Sequence, residues 1–295
     1  MQSRAKAGSS PMIPFTNFLF APGSRPERVE KALASDADIV CIDLEDSVPA
    51  SGKAEARASS LEMLARLGPE RLSLRINSLD TLDGLRDLVH LADSATLPCA
   101  IFVPMVESAA APLQLRKVLG LRCPPIIPLI ETVQGLRAAD SIAADPGVAA
   151  MMFGGGDFSA QLGVKLEWGP LLAARSAFVM SCASAQIPAI DVPFIHLNDE
   201  EGLRQECLAA RSLGFRIKAA IHPCQIATIV DTMQPSTEEV TEALEAIAAF
   251  DAAGGKAISF RGRMLEAPVM HRYRQIASSA RPRIERQEAG DNNLD

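Results

Sequence analysis

Two carboxylates, Glu131 and Asp157, stand where a divalent cation could use them, each after an apolar run in the stretch Pro125 to Gly163. The runs, Ile126 to Ile130 and Val148 to Phe153, are too short for helices and are bounded by Pro or Gly, the pattern of buried strands. Glu131 follows the first run directly. Asp157 follows the second across Gly154, Gly155 and Gly156, where missing side chains leave room for a ligand near the backbone. Parallel strands would deliver both acids to one sheet edge. Mg²⁺ commonly takes one or two protein carboxylates and completes its shell with water and an oxygen-rich substrate, so the pair suits it. A plainer reading fits the same residues, with Glu131 capping a helix that begins near Thr132 and Asp157 in a turn. Spacing alone leaves both open.

Arg75 is the cation to set beside these acids. It interrupts the apolar strand pattern Leu72 to Ile76, where a guanidinium needs a carboxylate partner. That partner is a substrate, or it is Asp43 or Glu45 from the acidic cluster Asp43, Glu45 and Asp46, and the two readings are compatible. His222, in the tripeptide IHP, reads first as a positioned hydrogen-bonding residue and only second as a general base.

The elements that must position these groups alternate along the chain. Strand patterns at Asn17 to Phe20, Asp38 to Asp43, Leu72 to Ile76, Ala100 to Val103, Ile126 to Ile130, Val148 to Phe153, Pro188 to Asp191 and Phe215 to Ile221 are separated by helical patterns. Those helices cover about Pro26 to Ala34, Lys53 to Leu67, Leu79 to Ala92, Ala109 to Leu119, Leu171 to Ala185 and Glu200 to Leu213, with one more from near Thr132. Such alternation predicts an α/β fold, a TIM (β/α)₈ barrel with a C-terminal helical extension. A doubly wound open sheet is the runner-up, but no GxGxxG follows the first strand and no GxxxxGK[ST] is present. Barrel enzymes place their chemistry at the C-terminal strand ends. Those ends carry Pro22 to Arg25, Asp43 with Glu45, Arg75 with Asn77, Pro104 with Glu107, Glu131, Asp157, Asp191 and His222.

The expected organisation is a disordered leader over 1–12, a catalytic barrel over 13–235, a helical extension over 236–280 that contacts a neighbouring subunit, and a disordered tail over 281–295. A chain of 295 residues accommodates this, since barrels of about 250 residues fold as one unit. The 48% hydrophobic fraction supports a large core, and 22% charged residues with a formal charge of −7 describe a soluble surface. One Trp, one Tyr and no basic run interleaved with aromatics argue against nucleic acid. No apolar run approaches a membrane span and the N-terminus lacks a signal-peptide core, so a cytoplasmic protein is expected. Six scattered cysteines without CxxC, and four histidines without HxH or HxxxH, give little support for disulfides or zinc.

The phrases FLFAPGSRPERVEKAL, DIVCIDLEDSV, LRINSLDT, PLIETVQGL, FGGGDFSAQLG, AAIHPCQI and FRGRMLEAPV resemble, in order, successive segments of the citrate lyase beta-subunit-like group of the HpcH/HpaI aldolase family. The resemblance spans about Asn17 to Arg274 and implies a TIM barrel that binds Mg²⁺ and makes or breaks carbon–carbon bonds in small acids. It implies Glu131 and Asp157 as metal ligands and Arg75 as the clamp on an α-keto-acid carboxylate; the strand-end acids Asp43 and Glu45 join Arg75 as candidate catalytic residues. Phe20, Arg25 and Lys31, with Lys53 as a further candidate, fall where relatives contact substrate or coenzyme A. Ile221 and His222 lie in another substrate-contact segment. Several coenzyme-A lyases of the family carry an Asp in a GxMxDxP-like stretch that reaches a neighbour's site as acid/base. This chain has Glu266 in GRMLEAP, one methylene longer.

The expected activity is reversible cleavage of a β-hydroxyacyl thioester, of the malyl-CoA, citramalyl-CoA or citryl type, into an acyl thioester and an α-keto acid. The expected partners are those small molecules, carried on coenzyme A or an acyl carrier protein, and further copies of the chain in a homotrimer or hexamer. Two alternatives are an aldolase on free hydroxy-keto acids, giving pyruvate and an aldehyde, and a partner-dependent or non-catalytic subunit.

Overall fold

The structure, a computed structural model, describes residues 15–279, so the expected leader and tail lie outside the described residues. These residues fall into two compact units, one ending at Met233 and the other beginning at Gln234.

The first unit opens with β1 (Asn17–Pro22), α1 (Pro26–Leu33), β2 (Ile39–Asp43), α2 (Lys53–Leu67), β3 (Leu72–Arg75) and α3 (Leu82–Asp93). It continues through β4 (Ile101–Val103), α4 (Ala110–Leu119), β5 (Ile126–Ile130), the short helices α5 (Val133–Arg137) and α6 (Ala139–Ala143), β6 (Met151–Phe153) and α7 (Gly155–Leu162). It ends with α8 (Trp168–Ser184), β7 (Ala189–Asp191), α9 (Glu200–Leu213), β8 (Ile217–Ala220) and α10 (Ile226–Met233). The eight strands close into a barrel in sequence order, each parallel to the next. β1 joins β8 by pairing Asn17 with Lys218 and Phe18 with Ala219.

The continuous apolar strand runs follow from this closure, because each strand is buried on both faces. Phe18, Cys41, Phe102, Ile127, Leu129, Met152, Ile190 and Ile217 fill the barrel interior. The alternate positions Leu19, Val40, Ile42, Leu74, Ile101, Ile130 and Phe153 pack outward against the helices. Helix starts are marked in sequence where a short polar side chain can take an orphan N–H. Thr81 caps α3 by accepting from Gly84 N at 3.1 Å, and Thr132 caps α5 by accepting from Gly135 N at 2.9 Å. The cap at Thr81 explains why α3 starts at Leu82 and not at the Leu79 that periodicity indicates.

The second unit contains α11 (Thr237–Ala252), an antiparallel hairpin of β9 (Ile258–Phe260) and β10 (Arg263–Leu265), and α12 (Ala267–Ser279). Ser236 and Glu239 form a reciprocal capping box at the start of α11. Ala246, Phe250, Leu265 and Met270 make its small core, and the Tyr273 hydroxyl donates to Glu242 at 3.1 Å. No helix of the described residues is long and apolar enough to cross a membrane.

Candidate active site at the C-terminal strand ends

The C-terminal ends of the strands surround a cleft of about 460 Å³ within the first unit. Phe20, Asp43, Arg75, Glu131, Asp157 and Ile221, all singled out from sequence, line it. Arg28, Asp46, Ser47, Gly154 and Gly156 join them, and Leu129, Met152, Leu166, Val192, Pro193 and Ile195 supply apolar wall.

Arg75, the last residue of β3, points across to the end of β2, its neighbour in the barrel. Its Nε and Nη2 reach Asp43 Oδ1 and Oδ2, each at 2.7 Å, and Nη1 lies 3.3 Å from Asp46 Oδ2. The fork that would grip a substrate carboxylate end-on is therefore engaged by Asp43. The Phe20 ring lies 4.9 Å from the guanidinium carbon and adds a cation–π contact. Burial alone would raise the Asp43 carboxyl, but hydrogen bonding and charge from Arg75, with further bonds from the backbones of Ser47 and Glu45, hold it below the usual range.

Glu45 behaves differently. Its Oε2 is 2.8 Å from Arg75 Nη1, yet the angles do not make a hydrogen bond, and the atom is buried with no hydrogen-bond partner. Burial, opposed by Arg75 and reinforced by Glu131, Asp46 and Asp43, pushes its carboxyl up to about 8.

Glu131, directly after β5, is 5% exposed, and its Oε2 accepts from Met105 N at 2.7 Å. Met105 takes a φ of 54°, uncommon for a residue with a side chain, in the loop after β4. Burial raises the Glu131 carboxyl to about 7, against the Met105 hydrogen bond and Arg75, and with the charges of Asp157 and Asp46. Asp157 is exposed and lies in the first turn of α7, where the helix dipole favours an anion.

The three glycines before Asp157 have separate tasks, which corrects the expectation that all open space for a ligand. A Cβ on Gly154 would overlap Cγ of Glu131, so this glycine admits the buried carboxylate itself. Gly155 packs against Leu166, whereas Gly156 faces open space. Among the described residues no three His, Cys, Asp or Glu side chains converge on a common metal position. The donor set that remains, two carboxylates at the rim of an open cleft, fits a hard cation that keeps most of its shell in water and substrate oxygens.

Other residues singled out from sequence are placed elsewhere. Arg25 is exposed, 3.9 Å from Glu27, and Lys31 is exposed on the last turn of α1; neither lines the cleft. His222 does not line it either, because its Nδ1 accepts from Cys224 N at 3.2 Å and so caps the turn after β8. Asp191 faces outward from β7 into a buried cluster, with Oδ2 2.5 Å from Lys218 Nζ and Oδ1 3.1 Å from Arg175 Nε. Lys218 also reaches Glu206 at 2.6 Å, so this quartet holds helices to the barrel and offers nothing to the cleft. Lys53 is engaged by backbone carbonyls and Asn77. Glu266 lies in the second unit, exposed, immediately before α12.

Sequence reasoning passed over Arg28, although it sits one turn of α1 beyond Arg25, and Met105, whose backbone conformation has no sequence signature. The apolar wall from Val192 to Ile195 was equally hidden, because its residues read as a loop.

The sequence matches the family description for HpcH/HpaI aldolase/citrate lyase over residues 17–223. It is 35% identical over 285 residues to an L-malyl-CoA/beta-methylmalyl-CoA lyase of Cereibacter sphaeroides, covering 84% of this chain and 89% of that protein. It is also 35% identical over 260 residues to a citrate lyase subunit beta-like protein of Mycobacterium tuberculosis, covering 86% and 91%. Among solved structures, CitE of M. tuberculosis in complex with magnesium, acetoacetate and coenzyme A superposes with a TM-score of 0.79 at 32% identity, over 90% of this chain and 97% of that one. RipC of Yersinia pestis superposes with a TM-score of 0.69 at 39% identity, over 77% and 98%.

Proposed function

Because the chain belongs to the HpcH/HpaI aldolase/citrate lyase family of carbon–carbon lyases, we propose that its cleft carries out Mg²⁺-dependent, reversible cleavage of a β-hydroxyacyl thioester into an acyl thioester and an α-keto acid. The observation that carries this reading is the pairing of a buried and an exposed carboxylate, Glu131 and Asp157, on the rim of one cleft that also holds Arg75. Relatives named for malyl-CoA cleavage, and a related structure holding magnesium with coenzyme A, support the substrate class.

Glu131 and Asp157 would hold the ion. When bound, it supplies Lewis-acid stabilisation for charge developing on the substrate's hydroxyl or carbonyl oxygen. Cleavage breaks the bond between the carbinol carbon and the thioester α-carbon, the hydroxyl loses its proton, and the electron pair passes to the thioester as an enolate. Glu45, with a carboxyl near 8 and a buried oxygen that is ion-paired to Arg75 but accepts no hydrogen bond, is suited to hold or take a proton near neutral pH. Arg75 keeps Asp43 and Glu45 in place and sets positive charge beside the keto-acid carboxylate. Glu266 from an adjacent subunit exchanges the proton at the enolate carbon. Assembly into a trimer or hexamer and a cytoplasmic location complete the proposal.

The test is to assay the purified chain alone against malyl-CoA, citramalyl-CoA and citryl-CoA, with Mg²⁺ and with chelator. Formation of a keto acid and an acyl-CoA only when Mg²⁺ is present is the expected result. Cleavage of free hydroxy-keto acids to pyruvate and an aldehyde, with no response to the thioesters, would overturn it.

A further inference from the structure

Lys53 is an unexpected residue for the first position of a helix, since the α2 dipole opposes a cation there. Its ammonium makes three hydrogen bonds, to the Leu44 carbonyl at 3.0 Å, the Glu45 carbonyl at 3.0 Å and Asn77 Oδ1 at 2.5 Å. An ammonium has three donors, so none is left for a ligand. The two carbonyls are consecutive and lie between Asp43 and Asp46, the acids that surround Arg75.

The third bond is built with equal care. Asn77 presents its oxygen to Lys53 because its backbone N and Nδ2 both donate to Asp87 Oδ2, at 2.8 and 2.7 Å. Asp87 is 1% exposed and is matched by Arg57 Nε at 2.5 Å, one turn along α2 from Lys53. Arg57 also reaches the Asp83 carboxylate at 3.2 Å, one turn before Asp87 on α3. Two cations of α2 and two acids of α3 therefore balance around Asn77, and the assembly runs from the α3 helix to the Leu44 and Glu45 carbonyls. Backbone pairing holds part of this loop, with Leu44 N donating to the Arg75 carbonyl at 2.9 Å and Val48 N to the Glu45 carbonyl at 3.1 Å, and Lys53 adds the link from its carbonyls to Asn77.

We infer that Lys53 is a positioning residue for the carboxylate-binding side of the cleft: by holding the Leu44 and Glu45 carbonyls against Asn77 it sets Asp43 and Glu45, and through them the direction of the Arg75 guanidinium. This rests on the lyase reading for its kinetic consequence but not for its structural one. It also removes Lys53 from the residues that contact coenzyme A.

Lys53→Met retains the aliphatic stem and deletes the donors. In the condensation direction it raises KM for the keto acid about tenfold, the scale of one to two lost hydrogen bonds. Mg²⁺ affinity and KM for the acyl thioester stay within about twofold. Combined with Arg75→Lys it adds little further loss, because both changes act on one guanidinium. Additive losses, or a KM change confined to the thioester, would overturn the assignment, and so would a lowered melting temperature with unchanged keto-acid KM. A second measurement does not depend on turnover. The Arg75 Nε–H, bonded to buried Asp43, gives a slowly exchanging nitrogen–proton resonance, assigned by its loss in Arg75→Lys. Faster exchange of that resonance in Lys53→Met is the expected result; unchanged exchange refutes the positioning role even if the unsubstituted chain has no lyase activity.

Discussion

Glu131 and Glu45 are acids whose protonation responds to conditions near neutrality. Burial places their carboxyls at about 7 and about 8, above the usual carboxylate value near 4.5. A folded-state value raised in this way contributes stability that is complete below about pH 4.5 and is lost as pH rises through 7 to 8. Asp43, held low by Arg75, and Lys218, held high by Asp191 and Glu206 against its burial, keep their charges throughout that window. The metal-free protein is therefore expected to melt at lower temperature at pH 8.5 than at pH 5.5. Mg²⁺ is expected to restore most of the difference at the upper end. Its affinity should fall roughly tenfold for each unit below pH 7, since the ligand must lose a proton first. Thermal melts with and without Mg²⁺ across this range check the sign; a metal-free protein that gains stability between pH 5.5 and 8.5 contradicts it.

At the scale of elements, the glycine turn between β6 and α7 does the positioning. Gly154→Ala would push a methyl into the Glu131 side chain, so a stability loss of about 1–3 kcal/mol and a loss of Mg²⁺ affinity of tenfold or more are expected. Gly156→Ala meets open space and should leave both unchanged, which makes the pair a self-controlled comparison by melting and titration. The strands of this region were legible because runs such as Ile126 to Ile130 are buried on both faces and read as continuous apolar stretches. The helix α7 was not, since three glycines at its start mask a turn that packing of Phe158 and the C-terminal glycine at 163 stabilise. The acids at strand ends were legible as a set, but their direction was not. Asp191 and Glu131 look alike in sequence, and only the outward-facing Lys218 of β8 and the buried Arg175 of α8 separate a packing cluster from a cleft residue. A guanidinium in an apolar strand requires a carboxylate, and Arg75 has three, from Asp43 at the end of β2 and from Glu45 and Asp46 just after it.

For the whole molecule, alternation of strand and helix gave the barrel, and its closure from β8 to β1 needed no further signal. The second unit was harder to read, because short strands such as Ile258–Phe260 carry too few residues for a period to register. The proposed function assigns the acid/base role to Glu266 of that unit, acting in a neighbouring subunit. A Glu266→Gln variant and an Asp157→Asn variant, each inactive alone, should therefore recover part of the activity when mixed under conditions that allow subunit exchange. Exchange verified by mass without recovered activity would place the proton transfer elsewhere.

The central claim is that Glu131 and Asp157 together hold the catalytic cation, and calorimetric titration of Mg²⁺ into the unsubstituted protein, Glu131→Ala and Asp157→Ala at pH 8 tests it most directly. Neither carboxylate supports the barrel: Glu131 takes one hydrogen bond from a loop N–H, and Asp157 is exposed on the rim. Both variants should fold, with binding reduced at least a hundredfold in each, as expected when one of two protein ligands is removed. Mg²⁺ affinity unchanged in both folded variants would contradict the site.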